Sequence, residues 1–529
     1  MKTTLSILLV VVAVVVLCTA SARAGEVEGT IRLGGVVVDE DVGDLSSMQE
    51  TFNFYDGFNL TGILLRGSFD PGTYPRTFFT LNLRDLNRDN RKGQFEFRVP
   101  SYFSFKTSYD QHRQVFDPQR LVSSDRKDWR FTTRVTPADW LFLSGYYNYM
   151  TREGNRTSFP AGVQSDLGVG YDYTLNTGRI EGQVKRGPRF VTLAYEFSAY
   201  NDDLFNTADR DGKIVSARVF LPDLFTNKLT HVFRASYGKT ELANSDVDHT
   251  LKTFRYSGIV RPVQRFRFKY GFLARQIDDD ATLLRTDNFQ HDIDAKYWHR
   301  YGAVWGGYSY ELNDDDRSLT RYNTYRGGAN IRYPDRVRAS LQYSNRSRDD
   351  DENVTLLKDA ETERIAAKVE IDLMKKLVVG SRYVIRNREL NDIGVEIEGE
   401  NVSGYVRYDA PLWAGLASGV SADYSYAEDR FDDRVGAFNT RSQFVTARVE
   451  TAYRGLLEGA AGVTYMDVEG DLDIEKSTLF FEAVYTYKND YHLELKYNIY
   501  NYDDFILLNR FYTANVVWFN VAYDFGIGE

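Results

Sequence analysis

Apolar and polar residues alternate along most of this chain. Phe95, Phe97 and Val99 alternate with Glu96 and Arg98, and Phe266, Phe268, Tyr270 and Phe272 with Arg267, Lys269 and Gly271. The same period of two runs through Val337–Tyr343, Ile365–Leu373 and Leu493–Ile499. Such a period places each apolar set on one face of a β-strand. The segments are joined in strict turn by two kinds of connection. The short kind carries Pro, Gly or basic residues and centres near Pro71, Pro100, Pro137, Gly187, Pro222, Pro262, Arg300, Pro334, Lys375, Pro411, Gly455 and Asn489. From Pro222 onward these turns recur about every 34 to 44 residues, which is two strands with their connections. The longer kind is rich in Asp.

Twelve short turns, each between two strands, predict 24 strands. A first strand near Glu26–Val38 and a last near Phe511–Phe525 bring the expected number to 26, with 22 to 28 as the range. The fold class is therefore all-β: a large antiparallel up-and-down transmembrane β-barrel of the outer-membrane kind. An even number of strands leaves both termini on the periplasmic side. Where the interior is wet, the apolar faces point to lipid. At the C-terminus Phe519, Val521, Tyr523 and Phe525 alternate with Asn520, Ala522 and Asp524, similar to the signal read by barrel-assembly machinery. That signal usually stops at the aromatic residue, whereas Gly526-Ile527-Gly528-Glu529 continue here.

The N-terminus reads as a secretory signal over residues 1–24. Lys2 supplies the positive start, Leu5 to Leu17 the apolar stretch, and Ala22-Arg23-Ala24 a small-x-small cleavage site. The barrel domain is then 25–529. The single cysteine, Cys18, falls inside the leader, and Leu17 before it is too bulky for a typical lipoprotein signal. The mature chain would have no thiol, disulfide or Cys-based haem site. Composition fits a barrel. Charged residues make up 26% and aromatics 15%, with 37 Tyr and 34 Phe. Losing Lys2 and Arg23 takes the net charge from −10 to −12, which argues against nucleic acid as a partner.

Strands about 4.8 Å apart and tilted about 40° would give a 26-strand ring roughly 50 Å across. Side chains cannot fill such a lumen, and an open hole would leak periplasmic contents. Yet the 505 residues after the leader are nearly consumed at about 19 per strand and connection. Either the barrel is smaller or its plug is a separate protein, and the latter is the expectation here.

Three segments resemble a known family. Gln49-Glu50-Thr51-Phe52-Asn53-Phe54-Tyr55-Asp56-Gly57-Phe58 is similar to an early aromatic-acidic strand start, Leu81-Asn82-Leu83-Arg84-Asp85-Leu86-Asn87-Arg88-Asp89-Asn90 to the next hairpin, and Thr136-Pro137-Ala138-Asp139-Trp140 to a periplasmic turn. Together they resemble the outer-membrane barrels that sheathe multihaem c-type cytochromes, the MtrB/PioB type. That resemblance implies a barrel holding a periplasmic multihaem cytochrome in its lumen, with electrons hopping through the partner's c-type haems, in some cases to an extracellular cytochrome. The barrel itself would bind no cofactor. Some members carry Cys-x-x-Cys near the mature N-terminus, and this chain has no cysteine there.

Candidate chemistry is sparse. Asp278-Asp279-Asp280, Asp314-Asp315-Asp316, Asp349-Asp350-Asp351-Glu352 and Asp432-Asp433 fall in the longer, extracellular connections. They read either as divalent-cation ligands, bridging lipopolysaccharide phosphates or docking an outer cytochrome, or as solvated loop tips. Basic residues cluster at short turns: Lys185, Arg186 and Arg189; Arg261 and Arg265; Lys375 and Lys376. They could steer an acidic partner or be ordinary turn residues. His112, His231, His249, His291, His299 and His492 are scattered, without metal-ligand spacing. Trp140, Trp298 and Trp413 sit beside short turns, as an interfacial girdle would. No nucleophile elbow, phosphate loop or haem-attachment motif is present, so the chain is not expected to be an enzyme. The rival to a sheath is a diffusion or substrate-specific porin, with Asp110–Asp128 or Thr151–Gly168 folded inward as a constriction loop.

Overall fold

The computed structural model describes residues 24–43, 56–69, 76–115, 123–156, 169–204, 209–222, 228–242, 248–279, 284–315, 318–334, 336–350, 360–390, 395–409, 416–432, 437–470, 473–505 and 511–528. These form 26 antiparallel strands: β1 Ala24–Gly43, β2 Gly57–Phe69, β3 Thr77–Arg84, β4 Lys92–Val99, β5 Phe103–Val115, β6 Ser123–Ala138, β7 Leu141–Arg156, β8 Val169–Arg186 and β9 Arg189–Asp202. Next come β10 Arg210–Pro222, β11 Leu229–Leu242, β12 Asp248–Val263, β13 Phe266–Asp279, β14 Leu284–His299, β15 Gly302–Asp315, β16 Ser318–Tyr333, β17 Val337–Asp350 and β18 Ala360–Met374. The last are β19 Leu377–Leu390, β20 Val395–Asp409, β21 Leu416–Asp432, β22 Ala437–Tyr453, β23 Leu457–Gly470, β24 Ile474–Tyr487, β25 Tyr491–Asp504 and β26 Tyr512–Gly528. Each strand pairs with its sequence neighbours, and β1 pairs with β26, so the sheet closes without an edge. The expected all-β barrel and its 26 strands are what the chain forms.

Turn chemistry explains where strands stop. Lys488 and Asn489 both take positive φ (52° and 63°), and so do Arg454 and Gly455 (50° and 67°). Two consecutive left-handed residues match the twist of flanking strands, and Gly or Asn reaches that region most cheaply. The extra residues after Phe525 also have a place. Val27 pairs with Ile527 and Glu26 with Gly528, so the C-terminal extension completes the seam strand.

The register fixes the faces. On β9, Val191, Leu193 and Tyr195 are exposed on one face; on β26, Phe519, Val521 and Tyr523 are. This apolar outer band is what lipid requires. The opposite face is polar along most of the ring, and it lines the lumen. An exception lies beside the seam, toward the extracellular end. There Val36, Tyr512, Ala514 and Val516 form a buried apolar cluster, with Val38, Tyr500, Tyr502 and Trp518 packed against it. Val516 pairs with Val38 and Trp518 with Val36, on the same face as Asn520 and Asp524. On the outer face, Val27, Leu65, Phe79, Leu81 and Leu83 make a second cluster, joined by Leu86.

β3 and β4 have eight residues each, against 13 in β2 and in β5. The wall is thus notched at its extracellular end. The turn 85–91 fills the notch by bonding to both taller strands. Asp85 and Leu86 amides donate to the Thr61 and Leu60 carbonyls (3.3 Å each). Asn87 accepts from the Leu60 amide at 3.1 Å and donates to the Phe58 carbonyl at 2.8 Å. Across the notch, the Gln111 amide donates to the Arg91 carbonyl (2.9 Å), and the Arg113 amide to Asn90 Oδ1 (2.6 Å). Asp85 itself has positive φ, and burial raises its carboxyl above the ordinary range, opposed by its bond from Asn59 and by nearby Arg88. These residues belong to the second of the three segments that carry the family resemblance, and here their work is to complete the wall.

Candidate functional site: the barrel lumen

All described residues lie in wall strands or in the turns between adjacent strands, and among them the lumen face is the surface that a passing ligand or partner would meet. That face is dense in cations. On β17–β18, Arg338 reaches both Glu370 and Asp372. On β6, Asp128 is buried and accepts from Arg126 and Arg130 at 3.1 and 2.6 Å. On β17, buried Asp350 accepts from Thr320 Oγ1 at 2.7 Å and Arg348 at 2.8 Å. Charge-assisted forks of this kind hold long side chains against the wall.

Several cations have no such partner. Arg218 of β10 lies directly opposite Arg234 of β11, and Arg234 opposite Arg255 of β12. Arg364 faces Arg386 across β18 and β19. Directly opposed like charges destabilise a sheet, so their presence marks a surface shaped by something other than stability. No sequence motif flagged these arginines. They are isolated in the sequence and become neighbours only through register.

The Asp runs, read either as cation ligands or as solvated loop tips, lie partly within strands. Asp278 and Asp279 end β13, Asp314 and Asp315 end β15, and Asp349 and Asp350 end β17. These pairs belong to strands, not to loop tips. Successive strand residues point to opposite faces, so an Asp pair cannot close on one cation. Asp278 instead accepts from Gln276 (2.8 Å), Lys252 (3.2 Å) and Thr250 (3.2 Å), Asp315 from the Ser318 amide (2.6 Å), and Asp349 lies 3.9 Å from Arg321. Asp280, Asp316, Asp351, Glu352 and Asp433 lie outside the described residues. Among the described residues no group of three metal-ligating side chains converges.

The other singled-out residues also separate by face. His231 and His291 bond to Tyr256 and Tyr270 hydroxyls on the outer face, at 2.9 Å each. His249 and His492 sit on the lumen face, 3.6 Å from Asp279 and 3.0 Å from Asp524. Trp140 is exposed in the β6–β7 turn. Trp298 departs from the girdle expectation. Its register shares the lumen face with Lys296, and both Lys296 and Arg267 lie over its ring, at 5.2 and 5.5 Å. An aromatic face beside two cations is better satisfied there than at a lipid boundary. Trp413 lies outside the described residues, as do 116–122 and 157–168 of the two candidate constriction loops; Asp110–Val115, Ser123–Asp128 and Thr151–Arg156 are wall strand.

Comparisons with known proteins bear on architecture. No family model matches the chain, and no curated protein matches it. Solved structures do. The siderophore receptor PirA of Acinetobacter baumannii matches with a TM-score of 0.56 at 7% identity, over 95% of this chain and 81% of that one. The ferric enterobactin receptor PfeA of Pseudomonas aeruginosa gives 0.53 at 8%, over 95% and 80%. PirA of Pseudomonas aeruginosa gives 0.52 at 8%, over 95% and 80%. At such identities the likeness is one of fold, and the cytochrome-sheathing family that the three segments resemble has no support in these matches. The chain is a large closed β-barrel of the bacterial outer-membrane kind.

Proposed function

We propose that this barrel is a passage protein of the bacterial outer membrane, whose lumen either passes a solute or is filled by a separate polypeptide. One observation carries this reading: a closed ring of 26 strands whose described residues are all spent on the wall. A ring roughly 50 Å across leaves a hole that wall side chains cannot fill.

Two kinds of cargo fit. The solved structures it resembles are siderophore and iron receptors by name, which favours transport of a solute through the barrel, as a porin or a substrate-specific transporter. The width of the ring and the three N-terminal segments favour the other, a sheath around a periplasmic multihaem c-type cytochrome that carries electrons. In both, the chain acts by positioning and sealing, not by catalysis.

The test is to extract the protein from native outer membranes in mild detergent, record its visible spectrum and stain a gel for haem. A c-type spectrum on a separate band that travels with the barrel supports the sheath. A haem-free preparation that conducts in planar bilayers supports solute passage. A haem-free barrel that conducts nothing and co-purifies with no partner overturns the passage reading.

A further inference from the structure

The mature chain is expected to be acidic, yet the lumen faces of β10, β11 and β12 carry Arg210, Arg218, Arg234 and Arg255 and, among the described residues, no carboxylate. Three of these, Arg218, Arg234 and Arg255, stand in one row across adjacent strands. Neighbouring strands are about 4.8 Å apart, so three guanidinium groups can reach a single ligand. The carboxylates of flanking strands are engaged elsewhere. On β9, Glu196 is 3.7 Å from Arg179 and Asp202 accepts from the Tyr200 hydroxyl at 3.1 Å; on β13, Asp279 lies 3.6 Å from His249.

The row is also built at one end. Phe190 and Phe220 stack at 4.8 Å, and the Arg218 guanidinium lies 5.4 Å from the Phe190 ring centre. That packing buries Arg218 Nε, which has no hydrogen-bond acceptor. An orphaned buried donor costs free energy until something accepts from it. A planar fork offers paired donors suited to carboxylate or phosphate oxygens.

We propose that Arg218, Arg234 and Arg255 form an anion-binding site on the lumen wall, for a ligand carrying several carboxylate or phosphate groups at close spacing. Its multiple charges offset the repulsion that the bare row carries. The site does not depend on which cargo the barrel passes, because it belongs to the wall alone.

The test uses the full mature chain in detergent micelles at low salt, titrated with inorganic pyrophosphate by calorimetry. Heat-modifiable gel mobility and circular dichroism check that each variant is folded. The R218Q/R234Q/R255Q variant is expected to bind about tenfold more weakly or worse, a loss of about 1.4 kcal/mol or more. A control variant, R382Q/R386Q/R388Q, removes the same charge from β19 and keeps affinity within about twofold. Should the first variant fail to fold, R234Q alone, at an exposed side chain, is expected to lose about threefold. No binding to the unsubstituted chain overturns the proposal. Equal losses in the two triple variants also overturn it, since they would mean a diffuse field and not a site. Any lumen partner that co-purifies gives a second arm. Pyrophosphate heat lost in the occupied complex and regained in the bare barrel assigns the row to the partner's acidic groups; heat kept in both assigns it to a diffusing anion.

Discussion

The Phe519 ring of β26 lies across the seam over Gly35 of β1, so close that a Cβ on Gly35 would sit 2.5 Å from it. Phe525 covers Gly29 in the same way, at 2.6 Å. Aromatic rings laid over bare glycine backbone let the first and last strands meet without a ridge. Gly35→Val is expected to force the ring aside and cost about 1–3 kcal/mol. A lower melting temperature on heat-modifiable gels would register it. Gly526→Ala, which meets nothing within 4 Å, is the matched control and should change little.

Asn87 holds the notch turn to β2 through two hydrogen bonds. Asn87→Ala is expected to lose about 1–2 kcal/mol locally. Hydrogen exchange should quicken at the Leu60 amide, while amides of the distant β20–β24 wall stay protected. Uniform protection in the variant would mean that the turn is held by other contacts.

Val463 and Thr464 are adjacent on β23 and point to opposite faces; Val463 is exposed on the apolar side, whereas Thr464 pairs with Thr446 and Thr478 facing the lumen. Val463→Arg should cost about 2–4 kcal/mol near the bilayer midplane. Thr464→Arg should fold almost normally. Denaturant melts in lipid vesicles separate the two, and the reverse order would invert the assignment of faces.

Glu428 is buried and accepts from Tyr426 at 2.7 Å, Arg430 at 2.8 Å and Arg441 at 3.2 Å. Glu428→Ala strands these donors and is expected to cost about 1–2 kcal/mol, a value held down by the exposure of both arginines. Glu428→Gln should recover part of it. Thermal melts of the two variants give the comparison.

Strand number and turn positions were legible because lipid imposes a period of two and short turns demand Gly, Asn or Pro at fixed places. The strand ends at Asp278–Asp279 and Asp349–Asp350 were not. Above the bilayer both faces are wet, alternation vanishes, and hydrogen-bonded strand reads like loop. Trp298 was misassigned because an aromatic beside a turn carries no sign of its face. The Arg218–Arg234–Arg255 row was invisible, since it arises from register between strands, and a one-residue slip would scatter it.

Thr30 donates to Asp524 at 2.6 Å, although 494 residues separate them in sequence. The contact that seals the ring thus spans nearly the whole chain. Contact order this high makes closure slow, and any partial sheet carries two open edges that can pair with other chains. The last strand must arrive before the first can be satisfied. Aggregation before closure is therefore a hazard of the topology itself, and it lasts until the first and last strands have met.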